Sequence, residues 1–322
     1  MTKYLVSGYI GFDNFGDEAI ASVLVSNLKK NGAEKITVLS SNPKKTARLY
    51  DVDSEYFLKF FKPILEADVL ISGGGSLLQD LTSLKSLIYY LTVIVIALVF
   101  NKKVIIFAQG FTPFRTKLGK IFTSFVLKYC DKIYVRDTKS LELLKSIKID
   151  SELISDPVFG IETLPKEHKG VGVQLRNFPT ITEEFLNSLV DRILENFKDE
   201  EIKLLSLQDS LDLEILNNFS KKLKQKGIKS KIYKNNSITE TIENISNLEY
   251  LIGMRFHANL VAVKAGVKVL GINYDIKVEN LAKSIGFPLI KMNNDVKKDA
   301  FKDLMELSTN NYKTPEFNFP KI

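Results

Sequence analysis

Residues 3–18 read KYLVSGYIGFDNFGDE. A short apolar run ends in Gly8, a glycine-punctuated loop follows, and Asp17 and Glu18 open a helical pattern over 17–30. A strand that turns through glycine into a helix is the first unit of a βαβ fold, and the pattern repeats outward from it. Apolar strands are predicted at 35–39, 68–72, 104–108, 132–135 and 152–154, with helices at 84–100, 115–129 and 139–147. Residues 160–169, GIETLPKEHK, break the alternation and read as a linker. It then resumes, with strands at 170–174, 203–207, 230–233, 250–252 and 267–271 and helices at 182–197, 211–224, 238–245 and 258–265. Near-continuous apolar strands between helices indicate a parallel sheet covered on both faces. The expected fold is α/β, with two Rossmann-like domains facing a cleft at their strand C-termini. The expected boundaries are residues 1–160, 170–295, and a C-terminal helix and tail at 296–322.

Composition narrows the function. The 322 residues are 45% hydrophobic and 26% charged, as in ordinary globular proteins. The single cysteine, Cys130, excludes an internal disulfide and a Cys-rich zinc site, and two histidines, His168 and His257, argue against a His-based metal site. Lys+Arg is 45 against 38 acidic residues, net +7. The lysines read as scattered over a solvated surface, without the dense basic stripe of a nucleic-acid binder. Only six arginines occur: Arg48, Arg115, Arg136, Arg176, Arg192 and Arg255. In so lysine-rich a chain each is a candidate for planar contact with carboxylate or phosphate. The N-terminus lacks a signal-peptide pattern, and the apolar stretch 87–100 is shorter than the ~20 residues of a membrane span. That stretch reads first as a covering helix of the first domain and second as a peripheral contact with a membrane. The expected location is cytoplasmic.

The chemistry-bearing residues gather where predicted strands end. After the first strand stand Asn14, Asp17 and Glu18; glycines 8, 11 and 16 are not spaced as in a dinucleotide fingerprint. The strand at 68–72 runs into Gly73, Gly74, Gly75 and Ser76, a turn able to approach an anion or a hydroxyl-rich ligand closely, with Gln79, Asp80 and Thr82 just beyond. The Lys-Ser/Thr of a Walker loop is missing. Arg136 follows the strand at 132–135, where it could bind an anion, pair with Asp137, or cap the next helix. Arg176 ends the first strand of the second half. Arg255 and His257 follow the strand at 250–252 at a helix N-terminus, which favours anions.

Set out in order, these pieces resemble the polysaccharide pyruvyl transferase family, and within it the CsaB-type cell-wall branch. The matching segments are GYIGFDNFGDEAI, DVLISGGGSLLQDLTSLKSLIYYL, AQGFTPF, YVRDTKSLELL, ISDPVF, VGVQLRNF and GMRFHANLVAVKAGV. The chain departs from the family at Phe111-Thr112, where a Gly-rich ending is common, and at Arg176-Asn177, where Arg-Pro is common. The resemblance implies a GT-B-like fold and transfer of a pyruvyl group from phosphoenolpyruvate to a sugar. It implies a 4,6-linked ketal on N-acetylmannosamine of a lipid-linked cell-wall precursor, of the kind that anchors S-layer proteins. For that chemistry the acceptor is expected on the first domain (Asn14, Asp17, Glu18, Gly73, Gly74, Gly75, Gln79) and phosphoenolpyruvate on the second (Arg176, Arg255, His257), with Arg136 of the first domain as a further candidate contact. His257 is the candidate acid, with Arg255 beside it; Asp17, Glu18 or His257 itself is the candidate base. Phosphoenolpyruvate is expected as co-substrate, with no metal or other cofactor. Two other readings are a nucleotide-sugar glycosyltransferase, with Glu279 reaching a ribose, and a non-catalytic sugar- or anion-binding module.

Overall fold

The computed structural model describes residues 2–80, 84–163, 167–292 and 295–322. Two compact units are present: residues 1–161 with 316–322, and residues 162–315.

The first unit carries strands β1 (Lys3–Ser7), β2 (Lys35–Ser40), β3 (Asp53–Tyr56), β4 (Val69–Ser72), β5 (Lys103–Gln109), β6 (Lys132–Val135) and β7 (Glu152–Leu153). Its helices are α1 (Phe15–Lys30), α2 (Pro43–Tyr50), α3 (Phe61–Glu66), α4 (Leu84–Val99), α5 (Lys117–Leu127) and α6 (Thr138–Ser146). The strands form one parallel sheet in the order β3-β2-β1-β4-β5-β6-β7. The largely apolar central strands explain the burial: every residue of β4 is buried, as are Val104–Gln109 of β5. Leu87, Tyr90, Leu91, Val93, Ile94 and Ala97 of α4 close one face. This bears out the covering-helix reading of 87–100.

The second unit repeats the design with β8 (Val171–Gln174), β9 (Ile202–Leu205), β10 (Ser230–Tyr233), β11 (Tyr250–Gly253), β12 (Lys268–Asn273) and β13 (Leu289–Lys291). Between them run α7 (Glu183–Phe197), α8 (Asp209–Gln225), α9 (Ile238–Ser246), α10 (Phe256–Lys264) and α11 (Ile276–Ile285), and α12 (Lys298–Glu306) follows β13. The order is β10-β9-β8-β11-β12-β13, again all parallel.

Both sheets therefore reverse direction once, between β1 and β4 in the first and between β8 and β11 in the second. Ligands of open α/β sheets gather at such a switch point, beyond the strand C-termini. Of the loops that the sequence singles out, all but the one carrying Arg136 after β6 leave these four strands.

Two expectations about the chain's course need correction. The tail at 296–322 is not a separate piece. Helix α12 packs on α7 and β12, whereas residues 316–322 belong to the first unit. There Phe319 meets Phe107 with ring centroids 5.7 Å apart, and the Tyr134 hydroxyl donates to the Lys321 carbonyl at 3.0 Å. The edge strands β3 and β13 and the helices α2, α3 and α11 escape the apolar pattern. β3 is the polar tetrapeptide DSEY, mostly exposed at a sheet edge, and β13 has only three residues. Thr82 and Pro165 lie outside the described residues.

Candidate active site

In the first unit, the loop after β1 is tied down by Glu18. Its carboxylate is buried, accepts the Gly11 N–H at 2.7 Å and accepts the Tyr50 hydroxyl. Burial raises its pKa above the ordinary 4.5, against the lowering effect of these two donors. Gly11 sits at φ +83°, and a Cβ there would lie 2.2 Å from Ser40 Oγ, so only glycine fits. Asn14 is the N-cap of α1, its Oδ1 accepting the Gly16 N–H at 3.1 Å. The expected acceptor ligands Asn14 and Glu18 thus have structural work within the loop. Asp17 is half-buried in the first turn of α1.

The glycine turn after β4 lies against that helix. Gly75 has φ +97°, and a Cβ on it would come within 2.6 Å of Asp17 Oδ1. A Cβ on Gly74 would come within 2.6 Å of Ile20 Cγ2. Glycine here lets the Asp17 carboxylate and α1 pass close over the turn. Gln109, fully buried at the end of β5, donates to Ser72 Oγ at 2.9 Å and to the Gly73 carbonyl at 3.2 Å. The Gly110 N–H donates to the Gly75 carbonyl at 2.8 Å. Beyond the turn, Gln79 Oε1 accepts the Thr112 hydroxyl at 2.9 Å, and Asp80 accepts the N–H groups of Arg115 and Thr116, each at 2.7 Å. Tyr9 and Phe12 stack at 4.2 Å with planes 4° apart, a half-buried aromatic pair that sequence reasoning passed over.

Arg136 belongs to this unit and faces inward. Its Nη1 donates to Asp156 Oδ2 at 2.8 Å, with side chains 6% and 3% exposed. The arginine expected to touch phosphoenolpyruvate is thus held in a buried ion pair. Its partner is Asp156, in the loop after β7, and not the adjacent Asp137, which caps α6 through the Ser140 N–H. Sequence proximity suggested the wrong carboxylate.

The second unit brings Arg176, Arg255 and His257 to one switch point. Arg255 is 7% exposed and grips the fully buried Asp212, with Nη2–Oδ1 2.6 Å and Nε–Oδ2 3.0 Å. Asp212 also accepts the N–H groups of Leu207 and Gln208, both at 3.0 Å. Gln174, buried at the end of β8, accepts the Arg255 N–H at 2.7 Å. One edge of the guanidinium is thus fixed and its charge balanced, while Nη1 takes no part in these bonds. Asp212 was invisible as a site residue because it reads as a first-turn helix acid, and its partner lies 43 positions along.

Arg176 differs. It is half-buried, its Nε is buried without a hydrogen-bond partner, and no carboxylate lies within ion-pair distance among the described residues. Its neighbour is Tyr274, just beyond β12, stacked edge-on against Phe178 at 5.1 Å. Burial raises the Tyr274 pKa; Arg176 and Arg255 each act to lower it, which puts both cations near the phenol. No motif flagged Tyr274. His257 is half-exposed in the first turn of α10, its ring meeting Phe256 edge-on at 5.0 Å. The N-cap position of α10 is Arg255, which makes no side-chain cap bond. Glu279 accepts Lys283 one turn on. No group of three or more His, Cys, Asp or Glu able to hold a metal occurs among the described residues.

The fold has counterparts among solved structures. A UDP-GlcNAc 2-epimerase from Methanocaldococcus jannaschii superposes with a TM-score of 0.70 at 13% identity, over 99% of this chain and 96% of that one. A UDP-GlcNAc 2-epimerase from Neisseria meningitidis bound to UDP-GlcNAc gives 0.64 at 9% identity, covering 94% and 91%. A glycosyltransferase from Rickettsia africae gives 0.60 at 14%, covering 95% and 88%. Such identities establish the GT-B fold and no more. No curated protein sequence matches the chain. The sequence pattern of one family does, over residues 14–276, from the N-cap of α1 past both glycine- and arginine-bearing switch points. On that match the chain is an enzyme of the polysaccharide pyruvyl transferase family.

Proposed function

We propose that the enzyme builds a 4,6-linked pyruvate ketal on a sugar, using phosphoenolpyruvate and releasing phosphate. The acceptor in this reading is N-acetylmannosamine of a lipid-linked cell-wall precursor, at the cytoplasmic face of the membrane. The product's added carboxylate would serve S-layer anchoring, as in the CsaB-type branch. The observation that carries the proposal is Arg176, a cation with a buried, unpartnered donor nitrogen, at the same switch point as His257.

The reaction balances with phosphoenolpyruvate as the only co-substrate. His257, as imidazolium, gives a proton to C3 of the enol, which makes C2 electrophilic. One sugar hydroxyl adds to C2 and gives up its proton. The C2–O bond to phosphate then breaks, and the second hydroxyl closes the ketal, its proton leaving with the phosphate. Arg176 holds the donor's carboxylate or phosphate, and the uncapped start of α10 adds N–H donors. Arg255 contributes Nη1 while Asp212 and Gln174 hold it in place. On the first unit Asp17 is the base, with the Gly73–Gly75 turn and the Tyr9–Phe12 pair offered to the sugar; Glu18 and Asn14 shape that loop.

The test is phosphate release from phosphoenolpyruvate with and without a synthetic lipid-linked ManNAc–GlcNAc acceptor, followed by mass spectrometry of the sugar. Acceptor-dependent release with a ketal-bearing product is expected. Protection by a UDP-sugar and none by phosphoenolpyruvate would overturn the reading.

A further inference from the structure

Basic residues of this protein gather in stretches free of acidic ones. Residues 81–130 contain seven basic residues (Lys85, Lys102, Lys103, Arg115, Lys117, Lys120, Lys128) and no Asp or Glu. Residues 215–239 form a second such stretch, with Lys221, Lys222, Lys224, Lys226, Lys229, Lys231 and Lys234 and no Asp or Glu. What sets the 81–130 segment apart is what stands beside its basic residues.

The same segment carries an outward apolar face. Helix α5 turns Gly119, Thr123, Val126 and Leu127 inward. Its opposite side shows Leu118, Ile121, Phe122 and Phe125, each between 57% and 63% exposed, and Tyr129 follows at 60%. The spacing 118, 121, 122, 125 and 129 is a single helical stripe. Helix α4 packs beside α5 and adds Ile88, Val95 and Val99, exposed by 55%, 41% and 70% on one stripe of its own. The outer face of a water-facing helix is ordinarily polar, and contiguous apolar patches mark interaction sites.

We infer that the outward faces of α4 and α5 form a docking surface for an anionic lipid bilayer. Phe122, Phe125 and Tyr129 suit the headgroup boundary, and exposed Arg115, Lys117, Lys120 and Lys128 flank them. A second copy of the chain fits less well, because a self-complementary pairing would press one all-basic segment against another. No helix among the described residues is long and apolar enough to cross a membrane, so the contact is peripheral. The surface gives the lipid-linked acceptor of the proposed function a reason to be met at the membrane, and to that extent it deepens that reading.

The test is co-sedimentation of the full chain with vesicles of equimolar phosphatidylglycerol and phosphatidylcholine, against phosphatidylcholine alone. Binding to the anionic vesicles should be about tenfold or more stronger, and should weaken as salt is raised. Phe122→Ser with Phe125→Ser should cost about tenfold or more in binding, with unchanged melting and unchanged turnover on a water-soluble sugar acceptor. Lys117→Glu with Lys120→Glu and Lys128→Glu should abolish the preference for anionic lipid. Wild-type protein that stays in the supernatant, or variants that bind as it does, would overturn the inference. So would a dimer that the Phe122/Phe125 change dissolves while no vesicle binding is seen. Sedimentation needs neither donor nor acceptor, so vesicle binding without phosphate release sinks the function reading alone, and the reverse sinks only this one.

Discussion

His257, Arg176 and Arg255 stand within one switch point but differ in what holds them, and the difference is measurable. His257→Ala should lower kcat by about a hundredfold to ten-thousandfold, with the fold intact, because a half-exposed imidazole leaves no cavity. Near-normal turnover would remove it as the acid. Arg176→Ala should raise the KM for phosphoenolpyruvate and cost less stability than the loss of Arg255, since it removes a hydrogen bond to Tyr274 but strands no buried carboxylate. Arg255→Ala should instead destabilise the protein by about 3–5 kcal/mol, because it strands Asp212 as an uncompensated buried charge. Denaturant titration of the two variants separates the roles. Glu18 tests the first unit. Glu18→Gln can still accept from Gly11 and can donate to the Tyr50 oxygen, whose hydroxyl then keeps its bond to the residue 18 carbonyl. Activity should stay within a few-fold, and loss of turnover would make Glu18 the base. The folded protein raises the Glu18 pKa, so it binds that proton more tightly than the unfolded chain does. The resulting stability is present below about pH 4.5 and is lost as pH rises through the folded value. Thermal melts from pH 4 to 8 should therefore show Glu18→Gln gaining on the wild type as pH increases.

In each unit the candidate residues stand on the turns at the sheet reversal, after β1 and β4 in the first and after β8 and β11 in the second, because strand ends there have no neighbouring crossover to cover them. Their glycines answer to packing as much as to ligands. Gly75→Ala would drive a methyl group into Asp17 and hold residue 75 at a positive φ; it should cost stability and displace the Asp17 carboxylate together. A fall in melting temperature with an equal fall in turnover is the expected pair of outcomes. A loss of turnover without a stability change would point to direct contact between the turn and the sugar.

Across the whole chain, the last seven residues matter out of proportion to their polarity. Phe317 and Phe319 bury against Gly160 and Phe107 of the first unit after the chain has completed the second. Removal of residues 316–322 should therefore lower the protection of β5 and β6 in hydrogen exchange and leave β8 and β11 unaffected. Equal loss in both units would contradict this division.

Period and punctuation in the chain were enough to read two parallel α/β units, the four loops at the sheet reversals and the family pattern, because buried parallel strands must be apolar and their turns must hold glycine. The same reading placed Arg176, Arg255 and His257 at strand ends. Folding alone set their partners. Arg136 found Asp156 rather than Asp137, Arg255 found Asp212, Glu18 found Tyr50, and Tyr274 arrived beside Arg176. The first three pairings join residues 20 to 43 positions apart and the last spans further still, and local periodicity carries no information at that range. The outward stripe of α5 was hidden for a related reason: an apolar helix face looks alike in sequence whether it meets the core or the solvent, and only the packed neighbours tell which.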